Sequence, residues 1–178
     1  MTRVWILVGV SILCVAGALL WAGTRFGEHP PAWRAEFFGN TDLQGEPLAS
    51  IRYSEIDFDW GDASPLPAVP IDAFSARLDT CLMLRVPARV TFHLSSDDGA
   101  RLYVNGTALI DNWGIHAWST KSGNTLLTPG RHHLRIDYFD EGGGAALYLS
   151  ANPPILDSRN LVAPGGSLTS SNACRIAR

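Results

Sequence analysis

No run of lysine and arginine occurs anywhere in the chain, whose formal net charge is −3 and whose isoelectric point is about 5.9. The basic footprint that nucleic acid or an anionic lipid surface would need is missing, so no nucleic-acid partner is expected. The common catalytic signatures are missing too. There is no His-Glu-x-x-His, no Gly-x-Ser-x-Gly, no phosphate-binding loop and no Cys-x-x-Cys. The expectation is a protein without catalysis of its own. Cysteine is scarce, with three residues at Cys14, Cys81 and Cys174. Cys14 lies in an apolar run. The other two pair if the domain occupies an oxidising compartment, and otherwise stand as separate thiols.

Helical periodicity is also lacking. Between Trp33 and Ala151 no amphipathic 3.6-residue pattern of useful length appears, and no internal repeat. Short strand-like runs alternate there with Gly, Pro, Asp and Asn clusters, the pattern of a sandwich or barrel. Val90, Phe92 and Leu94 point one way while Thr91 and His93 point the other. Leu134, Ile136 and Tyr138 alternate with His133, Arg135 and Asp137, and Ala145, Leu147 and Leu149 form a third such face. Asn105-Gly106 is the dipeptide of a tight hairpin turn with positive φ. His132 and His133 are strand neighbours facing opposite ways, hence no zinc pair, and read as surface residues.

What is present at the N-terminus is a long uncharged stretch. Val4 to Trp21 reads VWILVGVSILCVAGALLW, long enough to span a bilayer as a helix. Trp5 and Trp21 stand near its ends, where aromatic rings favour the headgroup layer. The competing reading is a cleaved signal peptide, for which Leu20-Trp21-Ala22 is a poor cleavage context. The chain therefore divides into a signal anchor at 1–23, a polar Pro-ended linker at 24–32, a β-sandwich at 33–151 and a tail at 152–178 that packs on or trails the sandwich.

The stretch SSDDGARLYVNG puts Asp97 beside Asp98 at the end of an apolar strand. Their repulsion has to be relieved by water, by hydrogen-bond donors or by a cation. Asp before Gly is also ordinary turn chemistry.

The order of WRAEFFGNTDLQGEPL, IDFDWGDASPLPAVPIDAFSARL, VTFHLSSDDGARLYVNGTALIDNWG and LLTPGRHHLRIDYFDEGGGAALYL resembles the protective-antigen family of β-sandwich domains, over about residues 33 to 151. The resemblance implies an all-β, antiparallel, jelly-roll-like sandwich, here preceded by one transmembrane helix, on the extracytoplasmic side of the membrane. It implies a module that in many members binds carbohydrate. In the calcium-dependent adhesins of that family the paired aspartates carry a cis peptide and hold a calcium that bridges to sugar hydroxyls. Carried over residue by residue, the ligands are Asp97, Asp98 and Asp140 with the carbonyls of Gly142 and Gly144. Calcium suits such an oxygen set. The bland alternative makes Gly142-Gly143-Gly144 a flexible hairpin loop and Asp140 a solvated residue. The aspartate loop is expected outside the core. Trp113, His116 and Trp118 are candidate sugar contacts, since aromatic rings cover the apolar faces of sugars, although Trp113 is also a framework residue of the family. The expected partner is a glycan, with the membrane as anchor. The rival reading is a structural or interaction subunit that packs on a membrane protein or envelope complex, favoured by the short linker.

Overall fold

The computed structural model describes residues 32–164 and Cys174. The strands, in chain order, are β1 (Trp33–Phe38), β2 (Ala49–Tyr53), β3 (Asp57–Gly61), β4 (Phe74–Leu84), β5 (Ala88–Asp97), β6 (Ala100–Val104), β7 (Thr107–Asn112), β8 (Ser119–Leu127), β9 (Gly130–Asp140), β10 (Ala145–Asn152) and β11 (Leu161–Val162). One sheet runs β2-β1-β4-β9-β6-β7 with β11 added beside β4, and the other runs β3-β10-β5-β8. Every pairing is antiparallel. No helix occurs among the described residues, and none there is long and apolar enough to cross a membrane. The expected spanning helix at 1–23 lies outside them.

Alternation decides which faces meet. Val90, Phe92 and Leu94 of β5 and Leu147 and Leu149 of β10 turn inward, against Leu78 and Leu82 of β4 and Leu134 and Ile136 of β9. The core thickens towards one end with an aromatic group. Trp60 stacks on Phe58 at 4.9 Å and meets Phe37, Phe74 and Tyr138 edge-on or tilted. Such ring contacts each add about 0.5–1.5 kcal/mol to the area they bury. Asn105 and Gly106 close the β6–β7 hairpin at φ 52° and 84°, where Asn and Gly carry the least steric penalty.

The register places the two ends of the sandwich. Phe38 at the end of β1 faces Ser75, and Phe74 faces Asp140. Trp33 therefore lies at the end opposite Asp140.

The two central histidines are buried, a correction to their reading as surface residues. His132 bonds the Asn105 side chain and the Thr128 carbonyl, and His133 pairs with the fully buried Asp79 on the outward side of β4 and β9. Cys174 explains part of that cover. It is bonded to Cys81 on β4, with the Cα atoms 5.5 Å apart, and Arg131 donates to its carbonyl.

The bridge spans a sequence separation of 93 residues, and a loop of that length restricts the unfolded chain strongly. Cys174→Ala is expected to cost about 2–5 kcal/mol, read as a lower urea midpoint under non-reducing conditions. The same loss should follow addition of a reductant to the unaltered chain.

Candidate functional site: an acidic loop cluster

Three loops converge where β5, β7 and β9 end, and carboxylates hold them together. Asp98 is 3 % exposed. Its Oδ1 accepts from the backbone N–H of His116 at 2.8 Å and its Oδ2 from that of Glu141 at 2.9 Å. Asp97 Oδ2 accepts from the Trp118 N–H at 3.1 Å. The Asp97–Asp98 peptide is cis. Tyr138 donates its hydroxyl to the Asp97 carbonyl at 2.6 Å, and Phe139 N–H donates to the Gly99 carbonyl at 2.9 Å. The expectation that this loop sits outside the core is thus corrected. It is locked against β9, with Asp98 buried and Asp97 half-buried, each carboxylate met by backbone donors.

Gly99 follows for steric reasons. A Cβ there would lie 2.2 Å from Phe139 Cε1 and 2.9 Å from the Gly114 nitrogen, closer than any real contact. The Asp-Asp-Gly sequence therefore needs its glycine for close approach to β9.

Donors relieve part of the repulsion. Asp97 is still raised above the ordinary carboxylate value, by burial first and then by Asp98, against the lowering by the Trp118 N–H and His116. The His116 ring stands close enough to couple electrostatically to both aspartates. Its Nδ1 faces the Ala117 carbonyl at 2.9 Å and its Nε2 the Asn112 carbonyl at 3.0 Å. The Ser119 hydroxyl lies 3.3 Å from the same Nδ1, so the ring is fully engaged by backbone and side-chain oxygens. Burial lowers the His116 pKa, but the two carbonyls and then Asp98 and Asp97 outweigh it, and the net shift is upward.

Asp140, at the end of β9, has no such help. It is 0 % exposed, and neither carboxylate oxygen has a hydrogen-bond partner. Burial first, then Asp98, Asp72, Asp97 and Glu141, push its pKa from 3.8 to about 7. Gly142 and Gly144 lie in the exposed loop that follows, Gly142 beside Asp72. Asp97, Asp98 and Asp140 thus feel one another's charge. Among the described residues, no group of three or more His, Cys, Asp or Glu side chains forms a ready-made metal cage. A cation here would need carbonyl oxygens as well.

A cleft of about 450 Å³ opens beside the cluster, lined by Asp97, Trp118, Gly144 and Ala146 and, from β3 and β10, by Asp57, Asp59 and Tyr148. Trp118 is 51 % exposed and Tyr148 38 %. The sugar-contact candidates separate. Trp118 stands in this cleft. The His116 ring is engaged by backbone carbonyls. Trp113 packs against Phe139 at 4.6 Å beneath Arg101, and lines a different depression with Arg77 and Glu141. Sequence reasoning missed Asp57, Asp59 and Tyr148. The signal was there in Asp57-Phe58-Asp59-Trp60, which alternates acid with aromatic, and in Tyr148, an aromatic on the outward side of an otherwise small and polar strand face.

The fold and the acidic end together define a two-sheet antiparallel β-sandwich module with paired aspartates in its end loops. The chain belongs to the PA14 domain family, whose model matches residues 31–158. It is 29 % identical over 141 residues to the anti-sigma-I factor RsgI3 of Acetivibrio thermocellus, covering 76 % of this chain and 22 % of that protein. A solved anti-sigma factor domain-containing protein aligns at TM-score 0.69 and 27 % identity, over 75 % of this chain and 48 % of that one. The PA14 sugar-binding domain from an RTX adhesin aligns at TM-score 0.61 and 19 % identity, over 75 % and 98 %, a likeness of fold. The chain thus spans about a fifth of the curated relative and about half of the solved anti-sigma factor chain.

Two outcomes are expected. Asp98→Ala removes a buried carboxylate that two backbone N–H groups bond, and should destabilise the fold by roughly 2–4 kcal/mol in urea unfolding, more than Asp97→Ala does. The second concerns pH. The folded Asp140 pKa, about 7, exceeds the ordinary 3.8, so the folded state binds the extra proton between those values. The stability tied to Asp140 is full below the lower value and is lost as pH rises through the upper one. Urea midpoints in chelator should fall across that window, and Asp140→Asn should flatten the fall.

Proposed function

We propose that the chain is a non-catalytic carbohydrate-binding module, anchored to a membrane by residues 1–23 with its sandwich on the extracytoplasmic side, and assisted by calcium at the acidic loop cluster. The observation that carries this reading is Asp140. A carboxylate buried with both oxygens unpartnered is costly unless it is protonated or meets a cation. Asp97, Asp98 and Asp140, with carbonyls of the Gly142–Gly144 loop, offer the hard oxygens that calcium takes. The donor set fits the ion only with those carbonyls included.

When bound, calcium would supply positions that neighbouring sugar hydroxyls occupy in place of water. The chain's own residues do the rest. The N–H groups of His116, Trp118 and Glu141 fix the two aspartates in place, and protonation of His116, favoured by its upward-shifted pKa, offsets part of their charge. Trp118 offers an exposed ring to the apolar face of a sugar. Likeness to the sugar-binding domain of the RTX adhesin supports the ligand class. Likeness to anti-sigma factor chains supports a sensing role, in which sugar occupancy outside the membrane is reported to a regulatory partner.

Calcium should raise the thermal unfolding midpoint of the full chain, because a ligand that binds only the folded state stabilises it by about 2.7 kcal/mol at a hundredfold excess over Kd. Asp140→Ala should abolish that rise. A glycan screen of the full chain with and without chelator tests the ligand. Binding that is indifferent to chelator would leave the sugar reading standing and remove calcium from it.

A further inference from the structure

We propose that the outer face of the sheet β3-β10-β5-β8 is a binding lane for an internal stretch of an unbranched, neutral polysaccharide, running from the cleft along the strands. This rests on the carbohydrate reading and specifies its ligand class.

The register builds the lane. Asp59 lies opposite Ala146, which lies opposite Asp97. The next outward row is Asp57, Tyr148, Ser95 and Thr120. Then come Ser150, His93 and Ser122, and after them Asn152, Thr91 and Asn124. At about 3.3 Å per residue, Ala146 to Asn152 covers roughly 20 Å, several sugar rings in line.

The chemistry changes along this line in a way that suits a glycan. Beside the acidic cluster are Trp118 and Tyr148, exposed rings on which sugar faces stack. The floor between them is Ala146, too small to obstruct a ring. Beyond Tyr148 the lane consists of hydroxyl, amide and imidazole groups, some held in pairs. Ser95 Oγ lies 2.7 Å from Thr120 Oγ1, and His93 Nδ1 lies 2.7 Å from Ser122 Oγ. Ser95 is itself buried, and the exposed Thr120 and Ser122 hydroxyls keep capacity for a further hydrogen bond. These positions are polar and partly pre-ordered by those pairs, which lowers the entropy lost on binding. Charge selects among glycans. Asp57 and Asp59 are exposed acids, and no lysine or arginine stands in these rows, so an anionic chain is repelled and a neutral one is not.

The test measures affinity of the full chain, held in a detergent without a sugar headgroup, for neutral gluco-, xylo-, manno- and galacto-oligosaccharides and their matching monosaccharides. The expected result is that affinity rises with chain length in the series that is bound. Tyr148→Ala should lower affinity for its longest member by about tenfold. Ser150→Trp, which places a bulky ring in the lane floor, should remove the gain with length. Equal affinity for monosaccharide and long chain would overturn the lane and leave the sugar reading intact. A length dependence that survives both substitutions would overturn it likewise. Binding of no glycan at all would overturn both readings.

Discussion

The Asp98 carboxylate is the contact on which the acidic end of the molecule depends. It accepts from His116 in the loop before β8 and from Glu141 in the loop after β9. One buried anion therefore joins segments that are 18 and 43 residues away in sequence. Hydrogen bonds to a charged acceptor contribute about 1.5–3 kcal/mol each, more than neutral ones. The backbone of the loop before β8 at His116 and of the loop after β9 at Glu141 is tied to that carboxylate.

The remaining acids divide according to the donors they meet. Asp98 has two backbone N–H partners, Asp97 has one, and Asp140 has none. Tyr138 reinforces the division. Burial first, then Asp140 and Asp98, hold its phenol protonated, so it remains a donor and bonds the Asp97 carbonyl rather than adding another negative charge. The protein thus meets Asp98 and Asp97 with its own donors and leaves Asp140, buried without any, with its pKa pushed up to about 7.

Much of the sandwich was legible in the sequence because alternation at period two is a direct record of an inner and an outer face. Val90-Phe92-Leu94 and Leu134-Ile136-Tyr138 behave as that record requires, and Asn105-Gly106 forms its turn. What alternation does not record is whether the outer face is covered. His133 is on the outward side as expected, yet it is buried, because Asp79 pairs with it and Cys174 ties a remote segment to Cys81. The acidic pair was legible as a pair. The absence of partners for Asp140 was not, since it arises from which backbone N–H groups reach the loop. The His116 ring was equally opaque, because its two carbonyl acceptors depend on a local backbone path. Tyr148 and Asp57 come together only through the β3–β10 register.

The placement of β1 has a mechanical consequence. Trp33, its first residue, lies at the end of the sandwich away from the acidic loops, and the strand is hydrogen-bonded on both sides, to β2 and β4. A pull between the N-terminal side of the chain and a ligand held at the far end runs along the axis of β1. The ladder bonds are then loaded together in shear. A strand at the edge of a sheet, pulled sideways, would instead unzip, losing its bonds singly and in succession. The same topology that buries Trp33 therefore suits the domain to bearing tension along its length.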